Sequence, residues 1–251
     1  MAMPSKRTTK RPSQKSYEHT ATVCRIPLMP NEAKDRKDQA ASLNEIGWRI
    51  FRIMAEFVEG FQFLSQFKRE VTVFGSARLK EDNHWYLEAR RLGNLLGECG
   101  FTTITGGGPG IMEAANRGAK EAGGMSVGLN IQLPHEQREN PYIDKGRPFH
   151  YFFTRKVMLA ASAQAYVYFP GGFGTLDEFF EIITLIQTGK SQPVPIVLVG
   201  KKFWAPMTTW VDTMIVKMGL ASPQDTHLYT VVDTAEEAFA IVQASSERTF
   251  F

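Results

Sequence analysis

From residue 70 onward the chain alternates short apolar runs with longer amphipathic stretches, and glycine or proline punctuates the joints between them. Val71–Phe74 ends at Gly75-Ser76. Phe101–Ile104 runs into Gly106-Gly107-Gly108-Pro109-Gly110. Ala165–Phe169 ends at Pro170-Gly171-Gly172. Further strand-like runs are Ser126–Ile131, Phe149–Phe153, Pro195–Val199 and Tyr229–Val232, with helical patterns over 83–98, 111–121, 155–163, 175–187 and from Ala235. Strands alternating with helices at this spacing specify a parallel sheet covered on both faces. The expected fold is therefore α/β, a Rossmann-like doubly wound sheet. Residues 132–148, rich in proline and polar groups, are expected to form a loop.

Upstream of this pattern, residues 41–68 read as a flanking helix. Leu43, Ile46, Ile50, Ile53, Phe57, Phe61 and Leu64 recur at three- and four-residue spacing, while Glu45, Arg49, Arg52, Glu56 and Glu59 lie mostly off the stripe. Phe51, Met54, Phe63 and Phe67 widen the apolar surface beyond one core contact. That fits either a helix packed on the domain flank or a subunit interface, and it makes a homo-oligomer the expected state. Residues 1–40 are polar and basic and are expected to be a disordered tail, with 41–251 forming one domain.

Charge and composition remove several classes of function. The formal charge is +3, but residues 1–20 carry five basic side chains against Glu18, which leaves the rest at about −1. A neutral body argues against a nucleic-acid surface. Two cysteines, Cys24 and Cys99, exclude a disulfide scaffold and a cysteine-rich zinc site. Five scattered histidines without H-E-x-x-H spacing give no reason to expect a metal. No run of about 18 apolar residues suggests a membrane span, and no apolar segment follows the basic N-terminus as a secretory signal would require, so the expected location is the cytoplasm.

Ligands of open parallel sheets bind beyond the carboxyl ends of the strands. Four such ends carry unusual residues: Gly75-Ser76-Ala77-Arg78, Thr105 to Gly110, Thr154-Arg155-Lys156, and Pro170 to Glu178. Each glycine turn leaves a strand and opens a helix, where free N–H groups and the positive dipole end suit a phosphate. Neither turn is G-x-x-x-x-G-K-[ST], and neither is a strict G-x-G-x-x-G, which favours a mononucleotide or a sugar phosphate over a dinucleotide. Glu178, four residues beyond Gly174, can point back at its loop. There an ionised carboxylate can orient water or balance oxocarbenium charge. Simple dipole complementation in the first turn, a common arrangement, also explains Asp177 and Glu178. Arg155 and Lys156 oppose the dipole at their helix start, which an anionic ligand or a salt bridge would explain. No G-x-S-x-G elbow occurs, and Ser76 has no evident histidine partner.

Pro170-Gly171-Gly172-Phe173-Gly174-Thr175-Leu176-Asp177-Glu178 resembles the P-G-G-x-G-T-x-x-E motif of the LONELY GUY family, long called lysine decarboxylases. Gly106 to Ala114 resembles that family's first glycine loop, Phe74 to Arg78 its first strand end, and Arg155-Lys156 its Arg-Lys pair. The resemblance spans about residues 70–245. It implies a phosphoribohydrolase that cleaves the N-glycosidic bond of adenosine-type nucleoside 5′-monophosphates, cytokinin ribotides among them, to free base and ribose 5-phosphate. Arg155 and Glu178 would be the catalytic pair. Gly75, Ser76, Gly107, Gly108, Gly110, Met112, Glu113, Lys156, Met158, Gly171, Gly172, Gly174 and Thr175 would hold the substrate. No cofactor is implied, pyridoxal phosphate included. A non-hydrolytic nucleotide or cofactor carrier on the same fold is the alternative, and a nucleic-acid protein using the basic tail a more remote one.

Overall fold

A computed structural model describes residues 39–132 and 139–246, with side-chain surroundings from residue 45 onward. The expectation of a disordered tail over residues 1–40 lies almost wholly outside the described residues. The chain divides into two compact units, residues 1–46 and 47–251. Of the first, only helical residues from Gln39 are described.

Among the described residues the second unit holds a seven-stranded parallel sheet. Its strands are β1 (Glu70–Phe74), β2 (Thr102–Thr105), β3 (Ser126–Ile131), β4 (Lys145–Phe149), β5 (Ala165–Tyr168), β6 (Ile196–Val199) and β7 (Thr230–Val232). They lie in the order β4-β3-β2-β1-β5-β6-β7. Every pairing is parallel, with Val71 opposite Thr103 on one side and Ala165 on the other. The helices are α1 (Gln39–Leu64), α2 (His84–Glu98), α3 (Ile111–Glu121), α4 (Phe152–Ala161), α5 (Phe173–Gln187), α6 (Lys201–Trp210) and α7 (Ala235–Gln243); a π-helical segment, Val211–Val216, extends α6.

Period-two alternation sorts the sheet into two cores. Ala165 and Val167 of β5, with Val197 and Val199 of β6, pack under α2, α3 and α7. Tyr166, Tyr168, Ile196 and Leu198 face the opposite way, onto α1, α4, α5 and α6. The sheet is thus wound on both faces, as its sequence pattern demands. Between β1 and β5 the winding reverses, which makes a crevice at their carboxyl ends.

Three expectations need correction. The fourth strand is Lys145–Phe149, inside the expected loop, rather than Phe149–Phe153. Pro148 disguised it, and the structure tolerates that proline because β4 is an edge strand. Phe152 and Phe153 instead open α4. The helix expected over 41–68 ends at Leu64. Its expected stripe is covered only in the C-terminal half, because Ile46 and Ile50 are exposed while Ile53, Phe57 and Phe61 are partly buried and Leu64 is fully buried.

Candidate active site

Ser76 ties the strand ends together. Its N–H donates to the Pro170 carbonyl at 3.1 Å, and its own carbonyl accepts from the Ile111 N–H at 3.0 Å. It therefore joins the end of β5 to the start of α3, with Gly75 packed so tightly that a side chain would collide with Ile111. The ends of β1, β2 and β5 and the two glycine turns meet at one edge.

The first glycine turn rests on a buried polar network. Gly107 and Gly110 take φ of 72° and 71°, which side chains rarely adopt. Gly107 N–H donates to Thr105 Oγ1 at 2.9 Å, and Thr105 donates to Asn116 Oδ1 at 2.6 Å. Asn116 Nδ2 donates to Ser126 Oγ at 2.8 Å, and Asn140 Nδ2 to the Gly108 carbonyl at 3.1 Å. Sequence reasoning missed these asparagines. An asparagine in the middle of α3, where the residue type is a poor helix former, was the available signal for Asn116. Asn130 carries a buried Oδ1 without a hydrogen-bond partner, against Gly107.

The second turn is more open. Gly172 caps α5 without any side-chain bond, and nothing lies within 4 Å of where a Cβ would sit on Gly172 or Gly174. Gly171 is closed instead by Thr175, which is buried against it. Phe173 is 92% exposed between the two open glycines.

Arg155 projects from α4 to this edge. Its Nε donates to the Leu129 carbonyl at 2.6 Å and its Nη2 to the Gly106 carbonyl at 3.2 Å, so the ends of β3 and β2 fix the guanidinium. Two of its five donors are used this way. Burial pulls its pKa down, and Glu178 pulls it back up. Lys156 Nζ pairs with Asp177 at 2.5 Å and Glu181 at 3.2 Å. Burial opposes its charge, but Asp177, Glu178 and Glu181 together raise its pKa. The salt-bridge explanation of Lys156 is therefore met by α5, whereas Arg155 has no carboxylate bonded to it among the described residues.

Glu178 is the site's unusual group. It is buried, and its Oε2 has no hydrogen-bond partner. Burial pushes its pKa up to about 7; Lys156 and Arg155 oppose this, while Glu181 and Asp177 add to it. The expectation of a carboxylate kept ionised by the helix dipole is thus corrected. α5 begins at Phe173, so Glu178 is its sixth residue, beyond the first turn where the dipole acts. Tyr168 beneath it donates to the Glu178 backbone carbonyl at 3.3 Å.

Two other expected residues stand apart from this cluster. Met158 is fully buried, its sulfur against α1 at Gly60. Glu113 accepts from the Tyr86 hydroxyl at 3.0 Å, between α2 and α3. Met112 does reach the site, with its sulfur beside Gly106 and Arg155. No cluster of histidine, cysteine, aspartate and glutamate suited to a metal occurs among the described residues.

A family model described as "Possible lysine decarboxylase" matches residues 112–242. The rice (Oryza sativa subsp. japonica) protein named cytokinin riboside 5′-monophosphate phosphoribohydrolase LOG is 30% identical over 178 residues, 69% of this chain and 72% of that one. The chain belongs to the LONELY GUY family. Another relative is the pyrimidine/purine nucleotide 5′-monophosphate nucleosidase of Escherichia coli K12, 27% identical over 66% of this chain and 38% of its own. Among solved structures, the molybdenum cofactor carrier protein of Chlamydomonas reinhardtii shares the fold with a TM-score of 0.53 and 25% identity, over 70% of this chain and 96% of that one. The LONELY GUY family match takes in Arg155, Lys156 and the whole second glycine turn, and it begins after the first.

Proposed function

We propose that the protein hydrolyses the N-glycosidic bond of a nucleoside 5′-monophosphate, with adenosine-type purines, N6-substituted cytokinin forms included, as the preferred class. The observation that carries this reading is Glu178. A buried carboxyl with an unpartnered Oε2, poised near neutrality beside an arginine in a ligand crevice, is an arrangement that binding alone does not require. The names of the rice and Escherichia coli relatives support the same class of reaction.

In this reading the open backbone around Gly172 and Gly174 and the start of α3 at Gly110 cradle the 5′-phosphate. The ribose then lies over Glu178. As the C1′–N bond breaks, its electron pair leaves with the base nitrogen and positive charge grows on C1′ and the ring oxygen. Ionised Glu178 balances that charge and accepts a proton from the attacking water, whose oxygen bonds to C1′. The proton ends on the departing base, so free base and ribose 5-phosphate are released. Arg155, fixed by two carbonyls with donors to spare, orients the nucleotide and stabilises charge on it.

Lys156 does not suit a Schiff base with pyridoxal phosphate. That chemistry needs a neutral amine, and Asp177, Glu178 and Glu181 hold this one charged. A second reading, a carrier that binds without turnover, is favoured by the likeness to the Chlamydomonas carrier. Exposed Phe152, Phe153 and Val157 of α4, and Trp48, Phe51 and Met54 of α1, support self-association.

The deciding experiment compares adenosine 5′-monophosphate with adenosine. Losing two hydrogen bonds to a charged phosphate, roughly 1.5–3 kcal/mol each, should lower kcat/KM by about a hundredfold or more. Adenine and ribose 5-phosphate should appear together, by mass spectrometry, from the monophosphate. Equal efficiency on adenosine would overturn the phosphate assignment, and tight binding without products would favour the carrier.

A further inference from the structure

Helix α4 carries Arg155 and Lys156 yet begins poorly by its own means. Its capping residue, Tyr151, makes no side-chain cap bond, and its first turn holds no acid. Two cations stand at its fourth and fifth positions, where the positive end of the dipole disfavours them. The first N–H groups of a helix also need acceptors.

The missing anion comes from α1, almost a hundred residues earlier. Glu56 Oε1 accepts from the His150 N–H at 2.7 Å, and its Oε2 accepts from the Thr154 hydroxyl at 2.6 Å and the Tyr151 N–H at 3.4 Å. Thr154 is fully buried and directly precedes Arg155. The approach of the two helices is set by Gly60, where a Cβ would lie 2.6 Å from the Met158 sulfur. Arg147 of β4 pairs with Glu59, and Arg49 lies 5.7 Å from the Tyr151 ring centroid. These contacts anchor α1 on either side of Glu56. All of α1 lies outside the family match at 112–242.

We propose that Glu56 is a positioning residue, one that fixes the start of α4 and so sets where the Arg155 guanidinium meets the nucleotide; this rests on the phosphoribohydrolase reading. Glu56 touches no reacting atom. It acts through the backbone of residues 150–154, and a shift of about 1 Å at the catalytic group is enough to lower turnover a hundredfold.

The test uses the full chain with Glu56→Ala, Glu56→Gln and Glu59→Ala. Steady-state hydrolysis of adenosine 5′-monophosphate is read beside amide hydrogen exchange over residues 150–158. Glu56→Ala should lower kcat about 10- to 100-fold with KM within about threefold, since the glycine turns are anchored elsewhere. Exchange at His150 and Tyr151 should speed up about tenfold, the scale of a lost cap. Glu56→Gln keeps an acceptor and should recover part of kcat; it carries the test if the alanine variant does not fold. Glu59→Ala loosens α1 without touching α4 and should keep kcat within about twofold. Wild-type kcat in Glu56→Ala, or an equal fall in Glu59→Ala, would overturn the proposal. Should the wild-type chain cleave no nucleoside monophosphate, the phosphoribohydrolase reading fails, and the exchange data still decide: unchanged protection at 150–154 in Glu56→Ala refutes the clasp and faster exchange upholds it.

Discussion

Replacing Glu178 by glutamine should stabilise the protein at alkaline pH while sharply lowering its proposed turnover. Folding moves this carboxyl from an ordinary value of 4.5 to about 7. A raised acid pKa means that the folded state holds its proton more tightly than the unfolded state. Glu178 therefore burdens the fold little below pH 4.5, and the burden grows as pH rises through the window up to about 7. Each unit is worth 1.36 kcal/mol, so the full penalty at pH 8 is about 3 kcal/mol. Glutamine has almost the same shape and no charge to desolvate. Its advantage should be near zero at pH 4 and about 3 kcal/mol at pH 8, or roughly 6–12 °C in Tm for a unit of this size. Differential scanning calorimetry of both proteins from pH 4 to 8 measures it directly. Hydrolysis by the variant should fall on the order of 10²–10⁴-fold. Parallel Tm curves across the range would show that Glu178 is not strained by burial, and the reasoning about its poise would fail with them.

Two further outcomes follow from the same geometry. Lys156 is the neighbour that most opposes the burial of Glu178, so Lys156→Met should move the rising limb of the kcat/KM–pH profile above its position near pH 7, and Glu181→Gln should move it below, both read from steady-state rates. Gly118 of α3 sits where a Cβ would strike the Arg90 carbonyl and lie 2.8 Å from the Asn94 nitrogen of α2; Gly118→Ala should lose about 2–3 kcal/mol in urea unfolding, although helix propensity alone favours alanine by about 1 kcal/mol.

The glycine turns and the strand runs were legible in the sequence because their signals are local. A parallel strand buried on both faces reads as an apolar run, and β1, β5 and β6 do so. β4 was illegible for the same reason: Lys-Gly-Arg-Pro-Phe carries no apolar run, and only pairing with β3 makes it a strand. Arg155 and Glu178 could be picked out as residue types at strand and helix ends. Their environment could not, because the poise of Glu178 comes from desolvation and from Lys156 and Arg155 on another helix. Glu56 read as a solvent-side charge on an amphipathic helix. What it caps lies 94 residues away, and no periodicity reports a contact of that kind.

The two borders of the sheet share one property. On one side Pro148 interrupts the row of N–H donors that β4 would otherwise offer, and Lys145 and Arg147 bring charge to the same strand. On the other, β7 is only three residues long. Neither border is a template on which another chain can extend the sheet. The open parallel sheet thus limits the hazard of edge-to-edge polymerisation without closing into a barrel.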